Sequence, residues 1–155
     1  MMHTTFLMLL LAWIPLQAGD PAGFAFWSNS TLKDFSSKLA PKINAQKVAT
    51  EQLGQFGNHS VMIAYREGSG EAELHEIQAD VFVIQAGQAT LIVGGSIIGG
   101  NNTGPGEIRG TSISGGEKRK MVAGDIVHIP SKTPHQVVLE GSKPFTYVIV
   151  KIDTK

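Results

Sequence analysis

The chain has 155 residues, 13 Lys+Arg against 13 Asp+Glu, 18 glycines and no cysteine. That length suits one domain, and a net charge of zero removes the electrostatic footprint of a general nucleic-acid binder. Without cysteine there are no disulfides, thiolate ligands or cysteine nucleophiles, so difficult chemistry falls to histidine, carboxylate and hydroxyl.

The first feature along the chain is an apolar run from Phe6 to Leu16, too short to span a bilayer as a helix. Gln17-Ala18-Gly19-Asp20 follows, where small residues meet the first charge. This is the pattern of a secretory signal peptide over residues 1–18, cut after Ala18. It predicts a secreted or periplasmic protein with no stable membrane span after cleavage. Pro15 inside the run argues against a buried helix. Asn29, Asn58 and Asn101 each open an N-x-S/T triplet, which matters only in a eukaryotic host.

A short helix is expected from Thr31, with Asp34 three residues on and Leu32, Phe35 and Leu39 on one face, ending at Pro41. Past Ala45 the pattern changes to short runs rich in β-branched residues between Gly and Pro clusters. These runs are Val61–Tyr65, Val81–Ile84, Ala89–Val93, Ile108–Ile113, Ile126–Ile129, Gln136–Leu139 and Phe145–Ile152. Their length and spacing predict a sandwich or barrel, with Val81–Ile84, apolar on both faces, in a central position. Gly94 to Gly106 holds six glycines in thirteen residues and reads as a surface insertion or a flap. Glu117-Lys118-Arg119-Lys120 reads as a solvated edge or turn. There is no phosphate-cradling glycine motif and no serine-hydrolase elbow.

Two segments place imidazole beside strand sequence: Glu73 to Gly87, and Gly124 to His135. Glu73 and His75 are two apart, so on a strand they project to one face. His135 opens the run Gln136–Leu139 after a Pro-bounded turn. If these strands are neighbours, His75, His135 and a carboxylate meet inside the barrel. Two imidazoles and a carboxylate suit Mn, Fe, Ni, Cu or Zn and leave positions open for substrate. A histidine in such a place also serves as a plain hydrogen-bonded structural residue, and spacing does not separate the two. His3 and His59 offer no comparable context.

Both segments resemble the two motifs of the cupin superfamily, small β-barrels of jelly-roll type. The first motif runs H-x-H, three or four residues, E, six residues, G. Against it His75 takes the second histidine position, Asp80 the glutamate position and Glu73 the first histidine position, with Gly87 closing the motif. The second runs G, five residues, P-x-G-x-x-H, which Gly124, Pro130 and His135 match, with Lys132 at the usual glycine and Leu139 where an asparagine often stands. The resemblance covers Glu73 to Leu139. It implies an all-β jelly-roll barrel at residues 57–155, preceded by a segment at 19–56 with one short α-helix, and a homodimer. It also implies a divalent transition metal on His75 and His135 with Asp80, Glu73 or both. Two acids in the set turn the preference toward Mn or Fe(II).

Fold does not fix function. Three readings stand: a metal-dependent enzyme of oxygenase, isomerase or lyase type acting on a small molecule; a non-catalytic module holding a small ligand in the same cavity; and a structural protein. In the first, Glu73 or His128 moves protons. His128, in a strand of Ile, Val and Ile, would do so from beside the metal if it points inward, or else pack as a singly hydrogen-bonded ring.

Overall fold

The computed structural model describes residues 19–154 and begins its regular structure with α1, Asn29–Leu39. Ser28, not Thr31, caps it: Ser28 keeps extended backbone, and its side-chain oxygen accepts from the Thr31 N–H at 3.1 Å. Phe35 and Leu39, four residues apart, are the buried positions, as the expected apolar face requires. Beyond Leu39 the chain tightens into a single 3-10 turn, Ala40–Lys42, which accommodates Pro41 because a first-turn residue needs no helical N–H partner.

Everything after the helix is strand and turn. Five antiparallel strands form one sheet in the order β1 (Val48–Phe56), β2 (His59–Arg66), β13 (Phe145–Asp153), β4 (Gln78–Ala86) and β11 (Ile126–Ile129). Six form the second: β10 (Glu117–Val122), β5 (Gln88–Val93), β12 (His135–Val138), β3 (Ala72–His75), β8 (Glu107–Gly110) and β7 (Asn101–Gly104). The inner faces of both sheets contribute to one core, in which Ala64, Phe82, Ile84 and Ile149 meet Ala89, Leu91, Met121 and Val137. At its centre Tyr147 receives the edge of Phe82 and the tilted ring of Phe145, each at 5.0 Å between centroids. The architecture is an all-β jelly-roll, as expected.

A second apolar cluster lies outside the barrel. Phe35 and Leu39 of α1 cover Ala49, Val61, Ile63, Tyr65 and Val148 on the outer face of the five-stranded sheet. That layer explains why β4 is apolar on both faces. Phe82 and Ile84 point into the barrel, while Val83 packs toward the helix layer. Gly87 closes the β4–β5 turn with φ +80°, and a Cβ there would collide with the Pro144 carbonyl oxygen.

Two expectations change and two are made specific. The sheet starts at Val48, ahead of position 57, because β1 pairs with β2 along its length although its sequence, VATEQLGQF, lacks a strong apolar alternation. The run Ile108–Ile113 is two strands. Thr111 breaks it by bonding Ile98 O, so that β8 continues in the six-stranded sheet while β9 (Ser112–Ser114) pairs with β6 (Ser96–Ile98). Gly94–Gly106 is a surface insertion, as one expectation had it, but a structured one: it holds β6 and β7, which pair with β9 and β8. The Glu117–Lys120 run is the exposed edge strand β10, an edge blunted by charge. No helix of the described residues is long and apolar enough to cross a membrane. The expected signal peptide, 1–18, lies outside the described residues.

Candidate metal centre

Strand register assembles the site. Glu73 and His75 leave β3 on one face, and each has a partner on β8: Arg109 opposite Glu73, and Glu107 opposite His75. On the other side of β3, His135 at the start of β12 lies directly across from Glu73. From the facing sheet, the inner-face series Asp80, Phe82, Ile84 of β4 brings Asp80 to the same place, paired with Lys151 of β13.

The donors converge. Glu73, His75 and His135 each offer one ligand atom, and the three lie within 4.8 Å of one another. Bonds of about 2.1 Å from nitrogen or oxygen to one ion span a similar distance. Asp80 reaches the same two rings: its Oδ2 is 3.3 Å from His75 Nε2 and 3.6 Å from His135 Nε2, against 3.5 and 3.9 Å for Glu73 Oε2. Both acids expected to share coordination therefore face the two imidazoles.

Both imidazoles are oriented from behind. His75 donates its Nδ1–H to Glu107, and His135 donates its Nδ1–H to the Thr133 carbonyl at 3.1 Å. With Nδ1 occupied this way, both Nε2 atoms face the cluster, the arrangement by which metal-bound histidines are held. His135 Nε2 is buried without a hydrogen-bond partner among the described residues. A buried polar atom left so is costly, and here it points at two carboxylates and a second imidazole. This chemistry fits a divalent transition metal held by Glu73, His75 and His135.

Charge dominates the site. Burial alone would raise the Glu73 pKa, but His75, Arg109, His135 and Lys151 hold it down at about 2. Burial works against a charged His75 ring, yet hydrogen bonds with Asp80, Glu107 and Glu73 hold its pKa up at about 10. Asp80 is buried too, and the two histidines and Lys151 outweigh that burial and depress it far below the usual carboxylate range. Arg109 closes the outer side, 2.8 Å from Glu73 Oε1 and paired with Glu107.

Lys151 is the residue that sequence reasoning missed. Its Nζ is 3.1 and 3.4 Å from the two Asp80 oxygens and 2.9 Å from His75 Nε2. The one available signal was a lysine inside the apolar run Tyr147-Val148-Ile149-Val150-Lys151-Ile152. Glu107 and Arg109 carried even less, being ordinary charges in a short run of mixed character.

His128 does not join the cluster. On β11 the inward positions are Val127 and Ile129, and His128 alternates out to solvent opposite Val81. It is neither the proton carrier nor the packed ring that the sequence suggested. Lys132, at the glycine position of the second motif, adopts φ +62°, the left-handed backbone that glycine takes freely. Its N–H bonds the His75 carbonyl at 2.7 Å, tying the turn before His135 to β3.

Glu73, Asp80 and His135 line a cavity of about 250 Å³ whose wall is apolar at Met62, Ala64, Val137 and Ile149. No family model matches the chain, and no curated protein matches it. Solved structures do resemble it. The TT1209 protein of Thermus thermophilus is 18% identical with a TM-score of 0.55, over 77% of this chain and 94% of that one. A Cupin 2 conserved barrel domain protein from Salinispora arenicola is 16% identical with a TM-score of 0.50, over 72% and 79%. The DMSP lyase DddQ from Ruegeria pomeroyi is 18% identical with a TM-score of 0.50, over 68% of this chain and 47% of the lyase. At these identities the likeness is one of fold, and the fold is that of cupin barrels.

The shifted groups set how stability of the metal-free protein depends on pH. Glu73, lowered from 4.5 to about 2, contributes stability that is full above about 4.5 and lost as pH falls through 2. His75, raised from 6.5 to about 10, contributes stability that is full below about 6.5 and lost as pH rises through 10. The melting temperature without metal is expected to be highest between those two limits and to fall on both sides. Thermal unfolding across pH with chelator present checks this; a melting temperature that rises from pH 6.5 to 10 contradicts it.

Proposed function

We propose that this chain is a small cupin that binds one divalent transition metal through Glu73, His75 and His135 and acts on a small molecule in the adjoining cavity. The observation that carries the reading is the buried, unpartnered Nε2 of His135, aimed at Glu73, Asp80 and a second oriented imidazole. Three protein donors leave coordination positions open toward the cavity. When bound, the ion supplies Lewis-acid polarisation of a substrate oxygen.

The chain's own residues do the rest. Glu107 and the Thr133 carbonyl hold the two rings in their binding tautomers. Arg109 keeps the Glu73 carboxylate ionised and fixed. Lys151 and Asp80 form an ion pair beside the donors, which fixes both charges next to the reacting centre. A lyase is among the proteins that share the fold. Mn or Fe(II) suits a set of two imidazoles with acids best. One observation favours the non-catalytic reading instead: the Lys151 ammonium supplies a fixed cation at the place where the ion's charge would act.

Elemental analysis after equilibrium dialysis separates these readings. The parent protein is expected to hold close to one ion per chain. His75→Ala and His135→Ala should abolish uptake, whereas Glu73→Ala and Asp80→Ala should each weaken it less than loss of either histidine. If the folded parent takes up no Mn, Fe, Ni, Cu or Zn, the metal reading is wrong and the ligand-binding module replaces it.

Lys151→Met gives an independent check. It removes a positive charge that contacts both His75 Nε2 and Asp80. It should destabilise the metal-free protein by about 1–3 kcal/mol, through the unpaired Asp80, and raise metal affinity by roughly tenfold, about 1.4 kcal/mol. Unchanged affinity in dialysis would place Lys151 outside the metal's field.

Export to the periplasm or beyond rests on the apolar run Phe6–Leu16 and the small residues after it, and pairing as a homodimer rests on the resemblance to small cupins. N-terminal sequencing of exported protein should begin near Gly19; an intact Met1 in the cytoplasm contradicts export.

A further inference from the structure

The cavity holds more positive charge than its own acids use. Each carboxylate at the site has a cationic partner: Glu73 pairs with Arg109, Glu107 with Arg109 and His75, and Asp80 with Lys151. Arg66 is the exception. It follows Met62 and Ala64 along the inner face of β2 and lines both the inner cavity and the groove outside it. Its Nε–H donates to the Tyr147 hydroxyl at 2.9 Å. Among the described residues its terminal nitrogens make no ion pair and no hydrogen bond.

The guanidinium is nevertheless held in place. Tyr147, at the centre of the aromatic core, fixes it from one side. From the other it lies against the bare face of Gly70, where an added Cβ would be 3.0–3.1 Å from both terminal nitrogens and their carbon. A charged fork with one nitrogen anchored and two free, at the mouth of an apolar-walled cavity, is a preorganised anion receptor.

We propose that Arg66 anchors the carboxylate of the cavity's ligand, which is a small organic monocarboxylate lying with its apolar body along Met62, Ala64 and Ile149. This rests on the small-molecule reading of the cavity above and names the class of molecule. The charge balance selects a monoanion: Arg66 is the single cation at the cavity left without a carboxylate among the described residues, so a dianion such as phosphate would bring one charge that no cation of the chain matches. The planar fork matches a carboxylate in two parallel hydrogen bonds.

The test uses the full chain, metal-free and metal-loaded, titrated with butanoate, butanamide and inorganic phosphate by amide NMR. Butanoate is expected to bind the metal-free protein roughly tenfold more tightly than butanamide, the worth of a charge-assisted hydrogen bond, and to shift the Gly70 amide. Arg66→Met should abolish the preference while leaving metal uptake within about twofold, since Arg66 is not one of the three donors. Gly70→Ala, which keeps the charge but displaces the fork, should weaken butanoate and spare butanamide. Equal binding of acid and amide, tighter binding of phosphate, or a preference that survives Arg66→Met overturns the proposal. A preference seen only with metal present and kept in Arg66→Met would show the carboxylate bound to the ion. That result sinks this inference and leaves the metal reading standing. Absent metal uptake with an Arg66-dependent preference has the opposite meaning.

Discussion

Three carboxylates drawn into a barrel interior set the terms for everything around them. Glu73, Asp80 and Glu107 are wholly or largely withdrawn from water, and an ionised acid there is tolerated only when paired and hydrogen-bonded. The fold answers with cations at fixed cross-strand positions: Arg109 opposite Glu73, His75 opposite Glu107, Lys151 opposite Asp80. A slip of one residue in either register would turn one member of each pair to the other face and leave buried charge unmatched. Side-chain electrostatics and strand pairing therefore enforce each other.

The remainder of the barrel keeps that register rigid. Behind Asp80 stand Phe82 and Ile84 on the same face of β4, packed through Tyr147 into the aromatic core. On the outside, α1 covers the same sheet with Phe35 and Leu39, and Ser36 meets Thr146 at 3.0 Å across that interface. The sheet that carries Asp80, Lys151 and Arg66 is thus packed on both faces, whereas the sheet that carries Glu73 and His135 ends in the exposed, charged strand β10. The imidazoles and Glu73 come from the second sheet, and the charges around them come from both: Asp80, Lys151 and Arg66 from the first, Glu107 and Arg109 from the second.

Lys151 takes the electrostatic role that a divalent ion would fill. Positive charge reaches His75 and Asp80 from the chain itself. The site still retains, in His135 Nε2, a polar atom that nothing among the described residues satisfies. Arg66 extends the same logic to the cavity mouth, where a cation is left for a ligand to neutralise.

The sequence by itself determined the all-β character, the short helix and the two imidazoles of the centre, because β-branched runs, Gly and Pro punctuation and motif spacing are local properties. Glu73 and His75 on one face followed from a period of two, and His135 from its place after Pro134. Tertiary pairing alone turns His128 to solvent and brings Glu107, Arg109, Lys151 and Arg66 to the site. Those residues stand far from the histidines in sequence, or, like His128, on a strand whose facing depends on its partner. They meet through antiparallel register between β3, β8, β4 and β13, and register is fixed by long-range pairing and by the burial of charge, neither of which leaves a mark in a local pattern.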